Sequence, residues 1–349
     1  MLEDLIRAWD GEEVALHYDH PSGTWMFVCI HSTKRGPAGG GTRMNVYASP
    51  ADGLADAMRL SEGMTMKMAA TDVPFGGAKA VIAVPSLPEG DERRRLFLRY
   101  GELAASLGGN FQTGPDVNTT TADMDVIGER HDHVYCRSPE RGGSGDPGPY
   151  TARGVFHGIR ASAAHVFGSS DLAGRSVLVQ GVGDVGARLA EQLAGAGARV
   201  LVSDIDSVRA NELAAGIGAE VVAPDKAMEV ECDVYAPCAL GATVNADSIP
   251  NLRCRIVAGC ANNQLAEPEE DAARLRAAGI LYAPDYVINA GGVIHAWGVE
   301  SLGWDDDTVE RRLAGIGASL TEIYSRAEQE GITTEAAAER LARSRLKTS

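Results

Sequence analysis

Apolar residues along this chain fall into short runs of strand formers, alternating with longer stretches of helical spacing. Residues 25–31 (WMFVCIH) form one such run and predict a strand. Over 50–63, Leu54, Ala57, Met58 and Leu60 or Ser61 fall on related faces of a helix. A strand at 80–84, a helix at 91–107 opened by Asp91 and closed near Gly108 and Gly109, and a strand at 111–113 follow. The pattern then breaks. Residues 138–149 (SPERGGSGDPGP) are dense in Gly, Pro and Ser and predict a hinge, with the next helix near Thr151. From Ser176 the chain reads strand, helix, strand over 177–180, 184–196 and 199–203. Short strands at 221–222, 234–236, 256–258 and 280–283 follow, mostly separated by helical stretches, and helices are expected at 308–327 and 334–345. This alternation predicts an α/β chain whose second half is a doubly wound sheet.

At 349 residues the chain is too long for one ordinary core. The hinge divides it into expected domains at 1–145 and 146–327, with a C-terminal helix at about 328–349 that can return to the first. Hydrophobic residues make up 44% and charged residues 23%, a globular composition. The net charge of −16 leaves no basic face for a nucleic acid. No apolar run approaches the ~20 residues of a membrane span. Residues 1–11 carry acids and Trp9 in place of the apolar centre of a signal peptide. The six cysteines form no CxxC pair, which speaks against a zinc site or a disulfide framework, so a cytoplasmic protein with reduced thiols and no metal is expected.

The most specific motif is Gly181-Val182-Gly183-Asp184-Val185-Gly186. It follows a strand, opens a helix, and is matched by an acid, Asp204, closing the second strand. Glycines here let the backbone approach a pyrophosphate, and the helix N-terminus faces its charge. Asp204 is suited to hydrogen-bond an adenosine ribose and to repel a 2′-phosphate, so NAD is expected over NADP.

Two lysines stand in apolar or glycine-rich settings: Lys67, read as lying just past the helix, and Lys79, read as lying just before a strand. Either can be an ordinary surface lysine. An ammonium in such a setting is costly unless paired or deprotonated, and two adjacent ammoniums favour loss of a proton from one. Asp116 in Thr113-Gly114-Pro115-Asp116-Val117-Asn118 is a turn residue or a carboxylate presented to a site. Asn262 and Asn289 follow strand ends, where parallel sheets bind ligands and where asparagines also cap turns.

Six segments, in order, resemble the glutamate/leucine/phenylalanine/valine dehydrogenase family: 36–43 (GPAGGGTR), 63–82 (GMTMKMAATDVPFGGAKAVI), 113–118 (TGPDVN), 180–186 (QGVGDVG), 258–263 (AGCANN) and 282–292 (YAPDYVINAGG). The resemblance implies an N-terminal substrate and oligomerisation domain, a C-terminal Rossmann NAD domain, and a deep cleft between them. It implies that Lys67 holds the substrate α-carboxylate, Lys79 is the catalytic base and Asp116 shuttles protons at the amino group. Gly39, Gly40, Gly114, Asn262, Val293 and Ala296 would contact substrate. Thr151, Gly181, Gly183, Asp184, Val185, Gly186, Asp204, Cys238, Ala239, Ala261, Asn262 and Asn289 would contact cofactor. The implied reaction takes the α-hydrogen of an L-amino acid as hydride to NAD⁺; water activated by neutral Lys79 adds to the iminium, and ammonia leaves a 2-oxo acid.

Two departures stand out. Ala78 replaces a usual glycine and requires an ordinary backbone there or a small rearrangement. Cys260 replaces a usual alanine and puts a thiol near the cofactor. Gly39 stands where the glutamate enzymes carry a lysine, so a second carboxylate finds no cation. Gly39 and Gly114 are both smaller than in the leucine enzymes, and with Ile294-His295 they favour a phenylalanine-type substrate. Residues 238–243 (CALGAT) and 286–288 (YVI) look like the leucine enzymes and keep branched-chain, or tryptophan, substrates as the alternative. Rival readings are a catalytically inactive NAD-binding regulator, a hydride-transfer enzyme on another substrate such as a hydroxy acid, and a structural assembly protein. The first predicts loss of Lys67, Lys79 or Asp116, all of which are present.

Overall fold

The computed structural model describes residues 2–347. Met1, Thr348 and Ser349, the outermost positions of the N-terminal stretch and of the helix expected at 328–349, lie outside the described residues. The chain divides into two compact units. One holds residues 1–146, 299–303 and 342–349; the other holds 147–298 and 304–341.

The first unit contains α1 (Leu2–Trp9), β1 (Glu13–Asp19), β2 (Thr24–Ser32), β3 (Ala38–Asn45), α2 (Pro50–Ala70), β4 (Gly76–Ala83), α3 (Gly90–Ser106), β5 (Phe111–Pro115) and α4 (Thr121–Ile127). Its sheet has the order β1-β2-β4-β3-β5. The β1/β2 and β2/β4 pairs are antiparallel, and β3 runs parallel to both β4 and β5. Both faces are covered. Val28, Ile30, Ala80 and Ile82 pack with Leu96, Phe97 and Tyr100 of α3, and Phe27, Cys29, Val81 and Ala83 pack with Leu54, Ala57 and Met58 of α2. Each large side chain so buried contributes roughly 1.5–3 kcal/mol. All eight residues of β4 are buried, so it reads as a continuous run with no alternation to mark its start.

This corrects two expectations. Lys79 lies inside β4, which begins at Gly76. Lys67 lies in the last turn of α2, a helix of 21 residues that continues past Gly63. A Cβ at Gly63 would meet nothing within 4 Å, and the following stretch is rich in Met, Ala and Lys, so one glycine does not end the helix. Ser49 and Pro50 start α2, with the Ser49 hydroxyl accepting from the Asp52 N–H. Its end is closed from far along the sequence: Arg345 donates to the carbonyls of Ala70 at 2.6 Å and Ala69 at 3.3 Å. Strand β3 was not foreseen, because AGGGTRMN has few strand formers.

The second unit contains α5 (Gly148–Phe167), β6 (Ser176–Gln180), α6 (Asp184–Gly195), β7 (Arg199–Ser203), α7 (Ser207–Ile217), β8 (Glu220–Val221), β9 (Val234–Pro237), β10 (Ile256–Val257), α8 (Pro268–Ala277), β11 (Leu281–Tyr282), α9 (Asp285–Ile288), the first turns of α10 (Gly291–Leu302), α11 (Asp306–Glu330) and most of α12 (Thr334–Lys347). Helix α5 begins three residues before the expected Thr151. The six strands are all parallel, in the order β11-β10-β9-β6-β7-β8. The order reverses between β6 and β9, which makes the carboxyl ends of those two strands the switch point where doubly wound sheets bind ligands.

Candidate active site

In the first unit the site is written into the sheet register. Gly39 pairs with Gly77 and Gln112, Gly41 with Gly114, and Arg43 with Val81. Paired positions share a sheet face. Gly39, Gly41 and Arg43 of β3, Gly77 and Lys79 of β4, and Gly114 and Asp116 at the end of β5 therefore point to the face that α2 covers. Glycines surround Lys79 on that face, and each has a different reason. A Cβ on Gly77 would lie 2.1 Å from the Thr65 backbone nitrogen, so Gly77 admits α2. A Cβ on Gly41 would lie 2.9 Å from the Asp116 Cβ and 3.3 Å from the Lys79 ammonium, so Gly41 leaves room for that pair. Gly40 faces the other way, where a Cβ would run into the Ala78 carbonyl at 1.7 Å. Ala78 itself is buried with ordinary backbone, so no rearrangement is needed there.

Lys79 and Asp116 meet. The Lys79 ammonium donates to Asp116 Oδ2 at 2.6 Å, and both side chains are largely buried, 6% and 14% exposed. Arg43 Nε donates to the other oxygen, Oδ1, at 2.7 Å. Thr119 accepts the Asp116 N–H at 2.8 Å and donates to the Thr42 carbonyl at 2.8 Å, fixing the loop after β5. Burial pushes the Asp116 carboxyl up, but the charges and hydrogen bonds of Lys79 and Arg43 more than offset this and hold it well below the usual carboxylate range. Asp116 is therefore an anion between two cations. Arg43 and Gly41 were missed as site residues, although both sit inside the GPAGGGTR segment. Arginine after threonine in a glycine-rich strand has no pattern that announces a buried pair. Lys67 is half-buried in α2.

In the second unit Gly181, with φ +96°, sits where a Cβ would be 2.6 Å from the Ala239 nitrogen, and a Cβ on Gly186 would meet the Gly181 carbonyl at 2.0 Å. These two glycines pack the loop against Cys238–Ala239 at the switch point. Gly183 differs: nothing lies within 4 Å of its Cβ position, and no side chain caps α6, which opens at Asp184 and Val185. That leaves a cradle of uncapped amides suited to a pyrophosphate. Asp204 accepts the Val182 N–H at 2.8 Å and the Asp206 N–H at 2.9 Å, so it braces the glycine loop while retaining lone pairs for a ribose. Arg209 lies 3.9 Å from Asp204 and 3.3 Å from Asp206.

Asn289 donates to Asn262 Oδ1 at 2.7 Å and to the Cys260 carbonyl at 3.2 Å, and its own buried Oδ1 has no partner among the described residues. The Ala261 N–H is held by the Pro237 carbonyl. The Cys260 thiol is directed at the Cys238 carbonyl, 3.8 Å away. Thr151 lies against the start of α10, since a Cβ on Gly292 would be 2.7 Å from its hydroxyl. On α10, Val293 is half-buried and Ala296 buried. His295, stacked on Tyr150 with centroids 3.3 Å apart, is pushed down to about 4 by burial and is neutral at ordinary pH. The open cradle, the orphaned amide oxygen and the strand-end carboxylate fit a nicotinamide dinucleotide. Among the described residues no cluster could hold a metal, and no helix is long and apolar enough to cross a membrane.

Residues 18–133 match the profile of the Glu/Leu/Phe/Val dehydrogenase dimerisation domain, and residues 207–349 match that of glutamate/leucine/phenylalanine/valine dehydrogenase. A leucine dehydrogenase of Thermoactinomyces intermedius is 43% identical over 98% of this chain and 93% of its own length. A valine dehydrogenase of Streptomyces coelicolor is 44% identical over 99% of this chain and 95% of its own. The crystal structure of L-tryptophan dehydrogenase from Nostoc punctiforme superposes with a TM-score of 0.85 at 37% identity, covering 100% of this chain and 99% of that one. Family profiles, fold and relatives agree: the chain belongs to the Glu/Leu/Phe/Val dehydrogenase family and is an amino-acid dehydrogenase.

Proposed function

We propose that this enzyme catalyses the reversible, NAD-dependent oxidative deamination of an apolar L-amino acid to a 2-oxo acid and ammonia. The observation that carries the reading is the buried Lys79–Asp116 contact at 2.6 Å, a base and a carboxylate close enough to exchange a proton. Nicotinamide, when bound, accepts the α-hydrogen as hydride. The remaining chemistry belongs to the chain. Lys67 offers a cation to the α-carboxylate. Lys79, once its proton has left, takes one from the water that adds to the iminium. Asp116 relays that proton to the amino group; as Lys79 takes the remaining hydroxyl proton of the carbinolamine, the C–N bond breaks and ammonia leaves the 2-oxo acid.

Gly39 supports an apolar substrate, since it offers no cation to a second carboxylate. With Gly41 and Gly114 it also leaves the sheet face beside Lys79 free of side-chain bulk, which favours an aromatic side chain, phenylalanine first. The leucine and valine dehydrogenases at 43% and 44% identity favour the second reading, a branched aliphatic substrate. Two carboxylates after β7, Asp204 and Asp206, outnumber Arg209 and favour NAD over NADP.

An NADH absorbance assay with L-phenylalanine, L-tryptophan, L-leucine, L-valine and L-glutamate, run with NAD⁺ and with NADP⁺, tests all three points. Turnover of an apolar amino acid with NAD⁺ is expected. Glutamate as the best substrate would overturn the role of Gly39, and equal use of NADP⁺ would overturn that of Asp204.

A further inference from the structure

Asp116 does not face Lys79 alone. Its second oxygen is taken by Arg43 at 2.7 Å. Arg43 reaches on through Nη1 to Asp56 Oδ2 at 3.0 Å, and Asp56 is held in turn by the Tyr47 hydroxyl at 2.7 Å and by Arg59 at 2.7 Å. Arg43, Asp56 and Asp116 are each 14–16% exposed, so this is a largely buried chain of alternating charge from β4 through β5 and β3 to α2. The groups acting most on Asp116 are Lys79 and Arg43; those acting on Arg43 are Asp116, Asp56 and Tyr47.

We propose that Arg43 is a positioning residue for the deamination. It fixes one oxygen of Asp116 so that the other faces Lys79, and it stays as counter-ion to that carboxylate when Lys79 has given up its proton. The inference rests on the reading that Lys79 and Asp116 handle the protons. Its logic is electrostatic. While Lys79 is an ammonium, Asp116 has two cations. Once the pair has lost a proton, Arg43 alone keeps Asp116 anionic. Without Arg43 the pair holds its shared proton more tightly, so activity switches on at higher pH. Without Asp56, one anion is removed from behind Arg43 and the switch moves the other way, to lower pH.

The experiment is the pH profile of kcat/KM, with kcat, KM and melting temperature, for wild type, Arg43→Met, Arg43→Lys and Asp56→Asn. Arg43→Met should move the alkaline activation up by about one pH unit. It should also lower kcat on the order of 10²-fold through lost alignment, with little change in KM. Arg43→Lys should restore the midpoint but not the full kcat, because a lysine supplies charge without the two-point grip of a guanidinium. An Arg43→Met enzyme with the wild-type midpoint and only a lower melting temperature would make Arg43 a structural brace and overturn the proposal. If that variant does not fold, Arg43→Lys at full kcat, or Asp56→Asn with its midpoint unmoved or raised, overturns it equally. Lys79→Ala and Asp116→Asn are the controls. Both staying within tenfold of wild type would remove the underlying reading. Both losing activity while Arg43→Met behaves as wild type would sink only the role of Arg43.

Discussion

The glycines of the first unit show how one residue type serves several ends on one sheet. Gly40 and Gly77 are demanded by packing, since any Cβ would meet backbone within about 2 Å. Gly41 is demanded by the pair beside it. Gly39 and Gly114 are the two on which the proposed substrate preference rests, and they carry the pocket prediction. Gly39→Leu with Gly114→Ala should lower activity on L-phenylalanine and raise the leucine-to-phenylalanine ratio at least tenfold, since each methylene-sized difference is worth about 1–3 kcal/mol. Kinetics on both amino acids read this directly. An unchanged ratio would show that these glycines do not set the pocket, whereas an equal fall on both would point to backbone damage near Gly40. Part of this layer is legible in the sequence: the 181–186 loop and Asp204 stand in a motif whose spacing has a chemical reason, while Lys79 and Asp116 are singled out by the family resemblance, since each alone also reads as a surface or turn residue. Arg43 is not legible, because its meaning depends on β3 lying between β4 and β5, and nothing local in GGGTR specifies that neighbour relation.

Among the elements, the doubly wound half was the easier to read. Its strands are short apolar runs, each bounded by turn residues, and expected and observed limits of β6, β7 and β9 differ by at most a residue. The first half hid more. Strand β3 is glycine-rich, β4 is buried throughout, and α2 runs on through a glycine that a local reading takes for a stop. Gly63 gives this a test. Its backbone is not in the left-handed region, and a methyl there would meet nothing within 4 Å. Gly63→Ala should therefore stabilise α2 by roughly 0.5–1 kcal/mol and raise the melting temperature without altering KM. A lower melting temperature would mean that the glycine is needed for a contact made outside this chain.

At the scale of the molecule, the antiparallel edge strand β1 bears on assembly. Leu16 and Tyr18 are exposed on it at 53% and 36%, beside a row of rings in which Tyr18 lies tilted against Trp25 and Trp25 stacks on Phe27. An unpaired apolar edge of this kind invites a second copy. The enzyme should therefore be a dimer or larger through its first unit. Light scattering at micromolar concentration checks this, with Leu16→Lys expected to shift the protein toward the monomer; a wild-type monomer would reject it. Assembly has to wait for folding, and folding has its own timetable. The helix that carries Lys67 ends on carbonyls that Arg345 satisfies, a partner 275 residues downstream. At ~5–20 residues per second, synthesis reaches Arg345 on the order of 10–60 s after those carbonyls have left the ribosome's catalytic centre. Through that interval the Ala70 carbonyl lacks its Arg345 partner, while the carbonyls of Lys67, Met68 and Ala69 are already closed by the residues that follow them. A fragment cut at the hinge never gains that contact, so the first unit is completed only by residues made after the whole of the second.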